Sequence, residues 1–180
     1  MASVSDYQWI VTWVDGHLSS VSLNYGHFAS IAAKIAALPA GAVGEVRTEK
    51  ISTERLLSLK QTIRWEDMRL FGTKFQTGVW KTLFSLEERL YSYSDFAALC
   101  GNPQGVRSVA HAVAINPVAY IIPCHLIVPK ESMDKARSIR RSAEATLFKG
   151  ADLYLLDTID VGEFAYGPEV KRELIKLQLK

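Results

Sequence analysis

The chain has 180 residues, of which 48% are hydrophobic and 22% charged, with a formal net charge of +2. That is long and apolar enough for one domain or two small ones with a buried core, and the near balance of charge neither demands nor excludes a nucleic-acid partner. Two cysteines exclude a disulfide framework and suggest a reducing compartment. Four scattered histidines give no zinc-ligand spacing, so no metal site is expected. The opening "MASVSDYQWIVTWVDG" lacks the basic start and long apolar core of a secretory leader. No apolar run reaches the length of a membrane span. A soluble, cytoplasmic protein without a membrane partner is expected.

In chain order, "YQWIVTWVDGHLSSVSLNYG" is aromatic and β-branched and is broken at Asp15-Gly16, which predicts a hairpin. "FASIAAKIAALPAG" has helical spacing through Ile31, Ile35 and Leu38 and stops at Pro39 and Gly41. "TIRWEDMRLFGTKFQ" has a mixed pattern that assigns no element, and "FGTKFQ" reads as a junction. The first seventy or so residues thus read as a small α+β unit. From there "FQTGVWKTLFSL" sets Phe75, Val79, Leu83 and Leu86 on one helical face, interrupted by Gly78.

Ser92 or Ser94 can cap a short helix through Leu99, and Gly101 sits where a positive φ ends it. A second helix runs to about Ala114 and stops at Asn116-Pro117. Two short helices around a glycine-containing turn have the spacing of a helix-turn-helix. Arg107 and His111 share a face of the second helix, and Ala110 and Ala114 leave it otherwise short. Such a face can approach a phosphate backbone closely, although an ordinary exposed arginine on an alanine-rich helix has the same pattern.

"NPVAYIIPCHLIVP" then places Cys124 beside His125 at the end of an apolar run. A thiol reacts as thiolate and needs a base or a positive environment near neutral pH. Adjacent residues on a strand point to opposite faces, so the pair can cooperate only through a water or where the strand is interrupted. Pro123 supplies that interruption, since it cannot donate to a ladder. A buried core thiol is the alternative. Beyond it, "KESMDKARSIRRSAEATLFKG" is a polar loop or exposed helix, "ADLYLLDTIDVGEF" is apolar with turn-like aspartates, and "GPEVKRELIKLQLK" is a helix begun at Pro168 with Val170, Leu174 and Leu177 inward.

"FQTGVW", "SYSDFAALCGNPQGVRSVAHAVAINPVAYIIPCHLIV" and "GPEVKREL", in that order, resemble the O6-alkylguanine–DNA alkyltransferases, the methylated-DNA–protein-cysteine methyltransferases of the Ada and MGMT type. The resemblance runs from about Phe75 to the C-terminus, and Pro-Cys-His with Asn-Pro seven residues upstream is its most specific part. It implies an α+β fold: a small N-terminal α/β (RNase H-like) lobe over residues 1–72, then a mostly helical winged helix-turn-helix domain over 73–180. That second domain would carry both DNA binding and the active site, with an insertion around 129–161.

The resemblance also implies a function. A monomer without cofactor would bind duplex DNA containing O6-alkylguanine and flip the damaged base. It would then move the alkyl group irreversibly to Cys124, acting once. His125 would be the base, acting through water, and Asn116 would fix the loop. Tyr93 would push on the target phosphate and protonate the leaving purine. Arg107 would fill the vacated stack and Ala110 allow close approach to the groove, with Ser92, Gln104 and Ser108 also on the DNA.

Three positions depart from the family pattern. Leu126 stands where an arginine usually follows Pro-Cys-His. Counting seven residues on from Lys171, the glutamate that orients the histidine falls on Gln178, with Glu173 and Glu169 as other candidates. Phe164-Ala165 replaces a binding-loop Tyr-Ser. The long connection from Val128 to Gly162 carries Arg137, Arg140 and Arg141, which either extend DNA contact or belong to a segment that covers the protein. Two other readings remain open: a lesion-binding protein that transfers alkyl groups poorly or not at all, and a thiol enzyme or redox sensor acting without DNA. Cys100, near a helix end, reads as packing.

Overall fold

The computed structural model describes residues 3–23, 28–139 and 150–180. It is mixed helix and strand, divided into two compact units. One contains the residues up to Phe84 together with Asn116–Ile122, the other Ser85–Ile115 together with Pro123–Lys180. The chain therefore passes from one unit to the other three times, and the division expected after residue 72 falls inside the first unit. Within the described residues no helix is long and apolar enough to cross a membrane.

In the first unit β1 (Gln8–Val14) and β2 (His17–Leu23) form the expected hairpin. Asp15 and Gly16 make its two-residue turn with φ of 49° and 79°, the paired positive values that match the twist of the flanking strands. β3 (Val46–Ser52) pairs antiparallel with the other edge of β1, giving the order β2-β1-β3. The buried side chains of this sheet include Trp9, Val11, Leu18, Val21 and Leu23. α1 (Phe28–Ala36) ends ahead of Pro39, and α2 (Thr53–Thr62) starts from Ser52, whose hydroxyl accepts from the Arg55 N–H at 3.3 Å.

The stretch of mixed pattern forms a 3-10 turn at Trp65–Asp67 and then runs beside β2, where the Arg69 N–H donates to Leu18 O at 2.9 Å. α3 (Lys74–Phe84) buries Val79, Trp80 and Leu83, while Phe75 is 43% exposed and Leu86 lies beyond the helix end. The expected face is thus rotated, because the large Trp80 ring takes the interior. A Cβ at Gly72 would stand 2.6 Å from that ring, so only glycine fits there. Asn116–Ile122 joins this unit by backbone pairing: the Val21 N–H donates to Pro117 O and the Ala119 N–H to Val21 O, both at 3.0 Å. That pairing, with α3, moves the boundary away from residue 72.

In the second unit α4 (Tyr93–Leu99) and α5 (Val106–Ala114) form the helix pair. Ser92 is the cap, and Gly101, with φ of 71°, ends α4 while Asn102 N–H reaches back to Ala97 O at 2.9 Å. A Cβ at Gly105 would strike the Asn102 side chain, which is why the turn into α5 needs a second glycine. Two short parallel strands, β4 (Tyr91–Ser92) and β5 (Ile127–Val128), accompany them.

α6 (Lys130–Ile139), a 3-10 stretch at Gly150–Asp157 and α7 (Pro168–Leu179) complete the unit. Their apolar side chains Met133, Ala136, Leu155, Leu156, Ile175 and Leu179 cluster with Leu90, Leu126 and Val128. The segment expected to be an insertion is therefore, where described, part of this unit's core. Arg137 is exposed and paired with Asp134 at 3.6 Å; Arg140 and Arg141 lie outside the described residues. On α7 the buried positions are Lys171, Leu174, Ile175 and Leu179, so of the expected Val170, Leu174 and Leu177 only Leu174 is buried. Polar partners inside the unit hold the helix in that rotation.

Candidate active site and nucleic-acid interface

Asn116 sits where α5 has ended and ties its loop at both sides. Its Oδ1 accepts from the Val118 N–H at 3.0 Å and its Nδ2 donates to Ile122 O at 2.8 Å. Within that loop Tyr120 has φ of 68°, unusual for a residue with a side chain, a strain of about 1–3 kcal/mol. Its ring is buried and tilted against Trp9 at 6.3 Å, and Lys60 Nζ donates to its carbonyl at 3.0 Å while lying 4.7 Å from the ring centre. These contacts hold the loop in that conformation up to Ile122.

Pro123 opens a 3-10 turn over Cys124–Leu126, closed by the Leu126 N–H on Pro123 O at 3.1 Å. Cys124 and His125 are therefore not consecutive strand residues, and the opposite-face objection does not apply. Cys124 is 8% exposed and His125 fully buried. His125 Nε2 meets Gln178 Oε1 at 2.6 Å. An amide oxygen only accepts, so Nε2 carries the proton and Nδ1 is the basic nitrogen. Gln178 is thus the residue facing the histidine, while Glu169 pairs with Arg172 and Glu173 with Lys176. Leu126, in the position of the expected arginine, is buried in the apolar cluster.

Two helical turns before Gln178 on α7, Lys171 is 1% exposed. Its Nζ donates to Ile127 O at 2.7 Å and lies 5.9 Å from the centre of the Tyr93 ring. Burial pushes the ammonium down to about 8, against the pull of Cys124 and Asp160. Burial raises the Tyr93 phenol above its ordinary value, helped by the charges of Cys124 and Glu163, so the hydroxyl stays a proton donor at neutral pH. Phe164, which with Ala165 stands where a Tyr-Ser was expected, packs edge to face on Tyr166 at 5.5 Å.

The second unit therefore brings Cys124, His125, Gln178 and Tyr93 together. Asn116 belongs to the first unit and reaches the turn along the chain through Ile122. Arg107 is exposed in the first turn of α5, with His111 and Ala114 on the same open side, Ala110 half-buried, and Val109, Ala112 and Val113 inward. Gln104 and Ser108 are exposed, and Ser108 Oγ donates to Gly105 O at 2.9 Å. Ser92 is a correction: it is 1% exposed and its hydroxyl accepts from the Asp95 N–H at 3.1 Å, so its side chain is a buried helix cap rather than a surface contact. Sequence reasoning used Lys171 only as a counting mark and missed it as part of the site. Its signal was a lysine two helical turns before the histidine's partner.

Residues 74–146 match the model of the 6-O-methylguanine DNA methyltransferase, DNA-binding domain. That match covers less than half of the chain. A probable methylated-DNA–protein-cysteine methyltransferase of Acanthamoeba polyphaga mimivirus is 46% identical over 69 residues, 37% of this chain and 45% of that one. The bifunctional transcriptional activator/DNA repair enzyme Ada of Escherichia coli is 39% identical over 83 residues, 41% of this chain and 23% of that protein. The matched stretches thus span less than half the length of these relatives. Two solved structures share the fold over most of the chain. O6-methylguanine-DNA methyltransferase from Pyrococcus kodakaraensis has a TM-score of 0.55 at 16% identity, covering 95% of this chain and 91% of that one. Mycobacterium tuberculosis OGT, solved in complex with DNA, has 0.54 at 20% identity, covering 94% and 85%.

Proposed function

We propose that this protein repairs DNA by transferring an alkyl group from O6 of guanine in a duplex to Cys124, once per molecule. The observation that carries the reading is the Pro123–Leu126 turn, which sets a buried thiol beside a histidine whose tautomer Gln178 fixes. His125 Nδ1 takes the thiol proton through water. The sulfur then attacks the alkyl carbon; an S–C bond forms as the O6–C bond breaks, and the electron pair returns to the purine. The Tyr93 hydroxyl supplies the proton that the leaving purine needs. The product is an S-alkylcysteine, and the chain as described needs no cofactor for this step.

Reaching the base requires flipping it out of the stack, at a cost of a few kcal/mol. Arg107 on the open side of α5 fills the gap, Ala110 permits the approach, and Gln104 and Ser108 meet the backbone. The curated relatives' names support this substrate, and the complex of the Mycobacterium protein with DNA supports DNA as partner. On the same reading the three-stranded unit is the RNase H-like lobe, the second unit the winged helix-turn-helix, and the protein works as a cytoplasmic monomer.

The test is to incubate the protein with duplex DNA carrying O6-methylguanine and weigh the intact chain. One methyl in place of one proton is expected. Tight lesion binding with unchanged mass would replace this reading with that of a lesion-binding protein, and neither binding nor mass change would sink both.

A further inference from the structure

Activating Cys124 takes two things: a base to receive its proton, and a charge to hold what is left on sulfur. His125 can be the base. An imidazolium backed by a carboxylate could also hold the charge, but Gln178 accepts the hydrogen bond without carrying any charge. The charged and titratable groups around the turn are the ammonium of Lys171, the phenol of Tyr93, Asp160 facing Lys171 and Glu163 facing Tyr93. Lys171 is 1% exposed, and its hydrogen bond goes to the neutral carbonyl of Ile127 at 2.7 Å. Among the described residues no carboxylate lies within ion-pair distance of it. A buried cation without a counter-ion is costly, and the carbonyl that holds this one lies three residues past Cys124.

We propose that the counter-ion of Lys171 is the Cys124 thiolate, so that in this chain a buried ammonium, not an acid-backed imidazolium, holds the negative charge of the activated sulfur. The inference deepens the reading of Cys124 as nucleophile and rests on it. Lys171 acts through space on the sulfur and positions the charge; His125 carries the proton away. The Ile127 carbonyl aims the ammonium, and that carbonyl belongs to the strand that leaves the reactive turn. Burial depresses the affinity of Lys171 for its proton, and the pull of Cys124 opposes that depression.

The test follows the pH dependence of Cys124 alkylation by a small neutral haloacetamide, in the full-length protein without DNA, in a Cys100→Ser background. Lys171→Met removes the charge, and Lys171→Gln removes it while keeping a donor toward Ile127 O. Both should move the midpoint of alkylation up by about one to two pH units, with thermal unfolding checked for each. Adding Gln178→Glu to either should bring the midpoint part of the way back, and a shift in Lys171→Gln with unchanged thermal unfolding is what a merely structural role for Lys171 would not produce. An unchanged midpoint in a folded Lys171→Gln protein overturns the proposal. If neither neutral variant folds, Cys124→Ala decides it, because the coupling is reciprocal. The Lys171 ammonium, followed by NMR, should then titrate lower than in the native chain, and an unmoved titration overturns the proposal. Since no DNA is present, failure here leaves alkyl transfer standing, and failure of alkyl transfer leaves a shifted midpoint intact.

Discussion

α5 and α7 have similar helical spacing and opposite polarity. On α5 the apolar residues Val109, Ala112 and Val113 are buried, and Arg107 and His111 project outward. On α7 the buried side carries Lys171 as well as Leu174 and Ile175, and Gln178 reaches in to His125. A helix that serves a partner outside the protein can keep an ordinary amphipathic pattern. One that serves a buried site has to place polar groups on its apolar side and satisfy them there: the Lys171 ammonium on the Ile127 carbonyl, the Gln178 amide on the imidazole. The comparison predicts that changes on α5 alter function without stability, and changes on α7 alter both.

The largest effect is expected from Arg107→Ala. Losing the side chain proposed to replace the flipped base should slow transfer from duplex DNA about tenfold to a hundredfold, the equivalent of a few kcal/mol of unstacking. Stability should move by no more than about 0.5 kcal/mol, as for other exposed positions. Single-turnover rates and thermal unfolding measured on the same preparation check both halves. A large loss of stability would break the contrast between the two helices.

Lys171 gives the next effect, on stability. Its folded-state affinity for a proton is depressed from 10.5 to about 8. Between those values the unfolded chain holds a proton that the folded chain has released, so stability rises with pH. The rise should amount to about 2 kcal/mol over the window and be absent in Lys171→Met. Above about 10 the buried Tyr93 works the other way, since it keeps a proton that the unfolded chain loses. Denaturant titrations from pH 7 to 10 measure the slope, and a flat profile in the native chain would contradict the burial of a charged Lys171.

The smallest effect is expected from Gln178→Glu. A carboxylate at 2.6 Å from His125 Nε2 would stabilise the imidazolium and should raise the transfer rate about threefold to tenfold, in the range of a charge-assisted hydrogen bond. No gain at any pH would mean that the imidazole's charge does not limit the reaction in this chain.

Much of the second unit was legible because its signals are local. Gly101 in a positive-φ position, the Ser92 cap and the Asn116-Pro117 stop each act over a few residues, and helix-turn-helix spacing follows from them. The order of motifs around Pro-Cys-His made Tyr93, Asn116, Cys124 and His125 readable together, and counting along α7 found Gln178. What sequence could not supply was set by packing at a distance. Trp80 rotated α3 away from the face that periodicity proposed. The backbone pairing of Asn116–Ile122 with β2 placed that loop in the first unit, a link between residues far apart in sequence. Lys171 was invisible for the same reason: nothing local distinguishes an inward lysine from a solvated one until Ile127 O is seen to accept from it.

The central claim is that a methyl group leaves guanine O6 and stays on Cys124. The most direct measurement uses duplex DNA with an isotopically labelled methyl on O6 of one guanine, followed by digestion of the protein and mass analysis of its peptides. The account predicts one label per chain, on the peptide containing Cys124, and none in Cys124→Ser. Label on Cys100, label retained by the Cys124→Ser protein, or release of more than one equivalent per chain would contradict it.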